Sequence, residues 1–257
     1  MKGREGLNEV VRLQEETMFR NVRIVIEGFL LLVVLGGACG AGAQGVATSY
    51  AKMARVEEYL MADRGAEIAL ARTAAPASIS SDAEVLVLGR HGFETAVKGT
   101  NGFVCVVGRG WTSAADPDFW NPKVRVPACV NAAGARSYLV RVERETEWGL
   151  EGWTAAQINE AVKAGIAKKE LPPMEPGAMC YMTGKEGYGG DVQPHWPAHL
   201  MFFFTDVDPA SWGANLPGSP VIAVRDPVEH LTQFVIEAQH WSDGTEFHEG
   251  AGAAHHH

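Results

Sequence analysis

Strand-like and helix-like runs come in blocks along this chain and do not alternate, which argues against most parallel-sheet architectures. Ser49, Met53, Val56 and Leu60 fall on one face of a predicted helix over 47–64, with Gly65 as its stop or a kink, and helical character resumes over 67–70. The stretch 74–81 (AAPASISS) has linker composition. Strand signals follow at 84–89, 94–98 and 102–107, and Gly99-Thr100-Asn101-Gly102 predicts a hairpin between the last two. Pro117, Pro122 and Pro127 make 111–127 irregular. Two helices are predicted next, one over 132–148 and one from a Thr154/Gln157 capping box to about Glu170, where Pro172-Pro173 stops it. Four strands, at 178–183, 200–205, 221–224 and 232–238, complete the order. The expected fold is α+β: an antiparallel sheet of six to seven strands with two or three helices packed on one face.

The N-terminal region reads as an address. Arg20 and Arg23 precede an apolar run over 28–38 (GFLLLVVLGGA), and Ala41-Gly42-Ala43 offers the small residues a signal peptidase accepts. The run is well short of the ~20 residues a membrane span needs, so no stable membrane insertion is expected after cleavage near Ala43. Residues 1–17 carry four Glu, unlike a leader's basic start, which makes Met18 the expected working initiator. Cys39 lies near a lipoprotein-like box, but the bulky aliphatic residue is one position too far away, so acylation is the lesser reading. The expected plan is a signal peptide over 1–43, an N-terminal helical segment over 44–75, one α+β domain over 76–250, and a tail over 251–257. That tail's three histidines resemble a purification-tag remnant. Export, to the periplasm or beyond, is the expected destination.

Cleavage leaves about 210 residues, enough for one domain with its own core. The leader is charge-balanced, so the net charge of −9 stays on the remainder, with no Lys/Arg cluster to interrupt it. An acidic surface repels phosphate backbones, and no nucleic-acid partner is expected. Cys105, Cys129 and Cys180 remain. In an oxidising compartment one pair can be bridged, and spacing does not choose among the three pairings. The other open reading is three small buried hydrophobes.

Chemistry concentrates at His195-Trp196-Pro197-Ala198-His199, after a glycine-rich loop over 184–190 and before the apolar 200–204. Two imidazoles four apart share a metal readily on a helix, but Pro197 argues against one here. A divalent metal such as zinc would need His195 and His199 brought together by a turn, with Asp206 and His91 as further ligands. The competing reading has both histidines simply hydrogen-bonded where the strand begins. Ser49-Tyr50-Ala51-Lys52 matches S-x-x-K, yet neither S-D-N nor K-T-G accompanies it. No Walker A, G-x-G-x-x-G or G-x-S-x-G sequence occurs. Several of the seven tryptophans, among them Trp111, Trp120, Trp196, Trp212 and Trp241, fall in loops or at strand ends. There they serve either as core plugs or as the aromatic lining of a ligand cleft.

The phrases LGRHGFETAVKGTNGFVC, PGAMCYM, HWPAHLMFFF and WGANLPGSP resemble a set of bacterial exported proteins to which no activity is attached. That resemblance implies export and a single domain over much of 84–245, and nothing about mechanism. In element order alone the chain also resembles PAS- and GAF-like sensor modules. The expected function is binding or sensing of a small-molecule ligand between the sheet and the 184–220 loops. Tyr188, Trp196, Trp212 and Asn215 are the candidate ligand-binding residues. The alternative is a secreted metal-assisted hydrolase or oxidase using His195 and His199.

Overall fold

The computed structural model describes residues 50–112 and 116–247. The leader with its Ala43 cleavage point, Cys39, Ser49 and the tail lie outside the described residues. The described residues form eight strands: β1 (Glu84–Leu88), β2 (Phe93–Val97), β3 (Val104–Gly108), β4 (Val126–Val130), β5 (Met179–Met182), β6 (His199–Thr205), β7 (Val221–Asp226) and β8 (Leu231–Glu237). They form one sheet in the order β2-β1-β3-β4-β5-β6-β8-β7. The helices are α1 (Val56–Tyr59), α2 (Arg64–Arg72), α3 (Ala77–Ser80), α4 (Ala132–Arg136), α5 (Tyr138–Leu150) and α6 (Ala155–Ala167). None among the described residues is long and apolar enough to cross a membrane.

The fold is α+β, with two corrections to the expected architecture. The sheet has eight strands and is mixed, because β1 pairs parallel to β3. Helices also pack on both faces. Side chains alternate across a strand, and on β1 the odd and even positions serve different cores. Val85 packs with Ala71 of α2, Val107 and the two cysteines Cys105 and Cys129. Leu86 packs with Leu139 and Val142 of α5, Val130 and Phe203. The near-continuous apolar runs of β1 and β3 are what burial on both faces requires.

The expected hairpin at Gly99-Thr100-Asn101-Gly102 is a crossover instead. The hairpin joins β1 to β2, closed by Gly89 N–H to the Gly92 carbonyl at 2.8 Å. The 99–102 segment then passes over the start of β1 so that β3 pairs on the other side. A Cβ on Gly99 would lie 2.1 Å from the Glu84 nitrogen, so only glycine lets the chain cross there. Asn101 secures the crossing by donating from Nδ2 to the Ile79 carbonyl and accepting at Oδ1 from Phe103 N–H.

The N-terminal elements differ too. Instead of one helix over 47–64 there is the single turn of α1. It is fixed by the fully buried Tyr59, whose hydroxyl donates to the Trp120 carbonyl at 2.9 Å. Gly65 is no stop. It lies in the first turn of α2, its N–H bonded to the capping carboxylate of Asp63. The 74–81 stretch buries Ala74 and Ala75 and contains α3, so its composition conceals a packed segment. The predicted 132–148 helix breaks at Ser137, whose hydroxyl turns back to the Ala133 carbonyl. The Thr154/Gln157 capping box opens α6 as expected.

Of the three possible cysteine pairings, Cys105–Cys129 forms. The two residues face each other across β3 and β4 with Cα atoms 4.0 Å apart, and Cys180 stays free and buried. Burial pushes the Cys180 thiol up to about 12, which keeps it protonated and unreactive.

Candidate functional site at the Gly184 loop

A proline opens the site. Cα atoms as close as those of Cys105 and Cys129 mark a pair not hydrogen-bonded to each other, so alternate residues of β4 aim their backbone groups at β5. Pro127 is such a residue, and it has no N–H to give. The β4–β5 ladder accordingly stops at Cys129↔Tyr181. Beyond that point the strands separate, and the chain after β5 bulges out over 183–187. It returns at Tyr188, which exchanges both backbone hydrogen bonds with Arg125 at 2.8 Å. Enclosed by this bulge is a narrow cleft of about 30 Å³ lined by Arg125, Pro127, Met182, Lys185, Tyr188, His195, Trp196 and His199. It is large enough for one or two waters, not for a metabolite.

A wider chamber of about 260 Å³ lies across the same loop. One wall is the end of α2 and α3, with Arg72, Thr73 and Ser80. The other is Lys185, Glu186, Ser242 and Asp243. Thr183 fastens the walls together: its N–H and hydroxyl both donate to the Ala74 carbonyl at 2.9 Å, and its own carbonyl accepts from Ser242 N–H. Gly184 sits against Thr73 so tightly that a Cβ would meet Thr73 Oγ1 at 2.6 Å and the Thr73 carbonyl oxygen at 3.0 Å. Lys185 lines both recesses, its ammonium held by Asp243 Oδ2 at 2.6 Å and Thr245 Oγ1 at 2.5 Å.

The loop is pinned further along. Tyr188 and Tyr50 both donate to the Asp191 carboxylate, and Asp118 Oδ2 accepts from Val192 N–H at 3.1 Å. The hydrogen bond to Asp191 and partial burial push the Tyr188 hydroxyl up to about 12, so it stays a donor. Arg125 spends Nη1 on the Pro122 and Val124 carbonyls, and burial followed by the neighbouring Arg109 charge lowers it to about 10.

Four of the eight residues nominated from sequence meet here: Tyr188, His195, Trp196 and His199. His195 Nδ1 bonds the Gly187 carbonyl at 3.2 Å, and His199 Nδ1 bonds the Pro197 carbonyl at 2.7 Å. A carbonyl only accepts, so each Nδ1 carries a proton. Burial holds the His199 imidazole below its usual range, hence neutral at pH 7. Trp196 lies 6.2 Å from the His199 ring, and its indole passes where a side chain on Gly189 would stand.

The structure does not bring the other four to this cleft. Asp206 follows the far end of β6, seven residues from His199 and so roughly 20 Å away at the strand rise. There it accepts from His230 Nδ1 at 2.7 Å. His91 caps the β1–β2 hairpin, four strand spacings or roughly 19 Å across the sheet. Among the described residues no three His, Cys, Asp or Glu side chains form a metal-sized group. Trp212 stacks on Phe234 at 4.3 Å and meets Phe204 edge-on at 5.2 Å, covering part of the β6–β8 face. Asn215, at φ 60°, pairs its side chain with both backbone groups of Ala223 and its N–H with the Val221 carbonyl. It caps the open edge of β7, which would otherwise invite another strand. Trp111 and Trp120, both buried, are core plugs beside Tyr59.

Arg72, Ser80, Lys185 and Ser242 escaped the sequence reading. Lys185 had a signal, as the one cation in the glycine-rich loop. The others lie more than 50 positions from it in sequence and carry no motif. Compared with known proteins, the chain matches no protein-family model, no curated protein and no solved structure.

Proposed function

We propose that this is an exported protein that binds a small polar molecule in the wider of the two recesses flanking the 184–190 loop, and that it binds without transforming its ligand. One observation carries the reading. The loop is held by Thr183, Tyr188, Lys185 and Val192 between two recesses whose rims gather polar and aromatic side chains. A preorganised concave site of this kind loses little entropy on binding. Export is supported by the leader pattern and by the Cys105–Cys129 bridge, since disulfides persist in oxidising compartments. The test is a thermal-shift screen of tag-free protein against a metabolite and glycan panel. At least one compound is expected to raise the melting temperature in a concentration-dependent way, and silence throughout would remove the reading.

The metal-assisted alternative keeps one specific support: His195 and His199 line the same cleft, and neither Nε2 has a hydrogen-bond partner among the described residues. Equilibration with zinc followed by metal analysis decides it. One zinc per chain, lost in His195→Ala/His199→Ala, supports a centre there, and no bound zinc ends it.

A further inference from the structure

We propose that the 260 Å³ chamber is a binding site for a small monocarboxylate, with Arg72 as its anchoring partner. This rests on the reading of the 184–190 region as a ligand site and adds the chemistry of the ligand.

Arg72 is the reason. It carries five N–H donors, yet its one hydrogen bond among the described residues runs from Nη2 to the Ser81 carbonyl at 3.4 Å. Nε is enclosed with no acceptor, and Nη1 meets none among the described residues. No carboxylate pairs with it there, whereas Lys185 on the opposite wall is neutralised by Asp243. A half-buried guanidinium left in that state is a strong anion partner, because its planar fork matches the two oxygens of a carboxylate.

The remaining lining completes the selection. Ser80 is 5% exposed and Ser242 is half-buried. Neither hydroxyl bonds another described residue, so both are free to donate to an oxyanion. The chamber is slightly below the usual metabolite-site range of about 300–1,000 Å³, which favours a compact molecule. With Lys185 and Asp243 paired, Glu186 leaves the far wall with a net negative charge. A dianion such as phosphate would meet repulsion there, while a single negative charge at the Arg72 end would not.

The experiment is a titration of ¹⁵N-labelled, tag-free protein with propionate, inorganic phosphate and ethylammonium in turn. Propionate is expected to shift the amides of Thr73, Ser80, Lys185 and Ser242 saturably. The other two probes are expected to leave them in place. Arg72→Gln should weaken propionate at least tenfold. Arg72→Lys, which keeps the charge but not the fork, should fall between the two, provided both variants keep the wild-type spectrum elsewhere. Equal affinity in wild type and Arg72→Gln, or phosphate binding as tight as propionate, would overturn the assignment. If propionate fails but a neutral compound from the screen shifts the same amides, the ligand site stands and the carboxylate falls. If no compound shifts them, both fall together.

Discussion

Among the described residues two arginines are almost wholly buried, and they are satisfied in opposite ways. Arg109, 1% exposed, lies just past β3. Its Nη2 meets Glu67 Oε1 at 2.8 Å, Nε donates to the Tyr59 carbonyl at 2.9 Å, and Nη1 donates to the Val107 carbonyl. Glu67 in turn accepts from Leu88 N–H. One cation and one anion close on each other, and the pair bolts α1 and α2 to the end of the sheet beside the proposed site. Arg141, 2% exposed on α5, faces the β7–β8 turn at the other end. It donates to the carbonyls of Glu229 and Pro172, but its nearest carboxylate, Glu229, is 3.6 Å away and its Nε has no acceptor. Glu145, Glu229 and Asp226 crowd this single charge. Burial first, then mutual repulsion, raises Glu145 well above the carboxylate range and Glu229 to about 7. The closed pair makes a fixed joint, and the acid-rich cluster makes a joint whose strength depends on protons.

The largest expected effect comes from breaking the closed pair. Arg109→Met leaves the enclosed Glu67 carboxyl without its cation, with a cost of about 3–5 kcal/mol. Urea denaturation at pH 8 should show that loss in full. A loss below about 1 kcal/mol would mean the pair is not the joint described here. Arg141→Met should behave differently. At pH 5 Glu145 and Glu229 hold protons, so removing the cation costs only about 1 kcal/mol. At pH 8 the carboxylates are left without a counter-charge, and the cost should rise to about 3 kcal/mol. Equal losses at the two pH values would erase the distinction between the two arginines.

Neither joint was legible in the sequence, and the reason is the same for both. Glu67 and Arg109 are 42 positions apart, and Arg141 and Glu229 are 88 apart. A charged residue inside a helical or strand pattern reads as a solvated face unless its distant partner is known. Local signals fared better: the Thr154/Gln157 box and the apolar strand runs owe nothing to distant contacts. β4 was missed because Pro127 argues against a strand, and the same proline ends the β4–β5 ladder and opens the cleft. Of the site, Tyr188, His195, Trp196 and His199 were legible because twelve consecutive positions carry all four. Arg72 and Ser80 join it only through the fold. Asn215 and Trp212 had the composition of a binding loop because edge capping and face covering use the same residue types.

The finest probe of the comparison is Glu229→Gln. The folded-state pKa of Glu229, about 7, lies above the ordinary value of 4.5, so the native protein keeps this proton longer than the unfolded chain does. The stability linked to it is complete below pH 4.5 and is lost as pH climbs through 7, and Glu145 shifts in the same direction. Gln keeps the shape and an acceptor for Arg141 while staying neutral. The variant should therefore match wild type within a few tenths of a kcal/mol at pH 5 and exceed it by roughly 1–2 kcal/mol at pH 8. Removing a partner of Arg141 works against that gain. Because the arginine already draws two carbonyls and two other acids, the loss is the smaller effect. A variant less stable than wild type at pH 8 would show that Glu229 is the arginine's true counter-ion, and the two buried arginines would then be held alike.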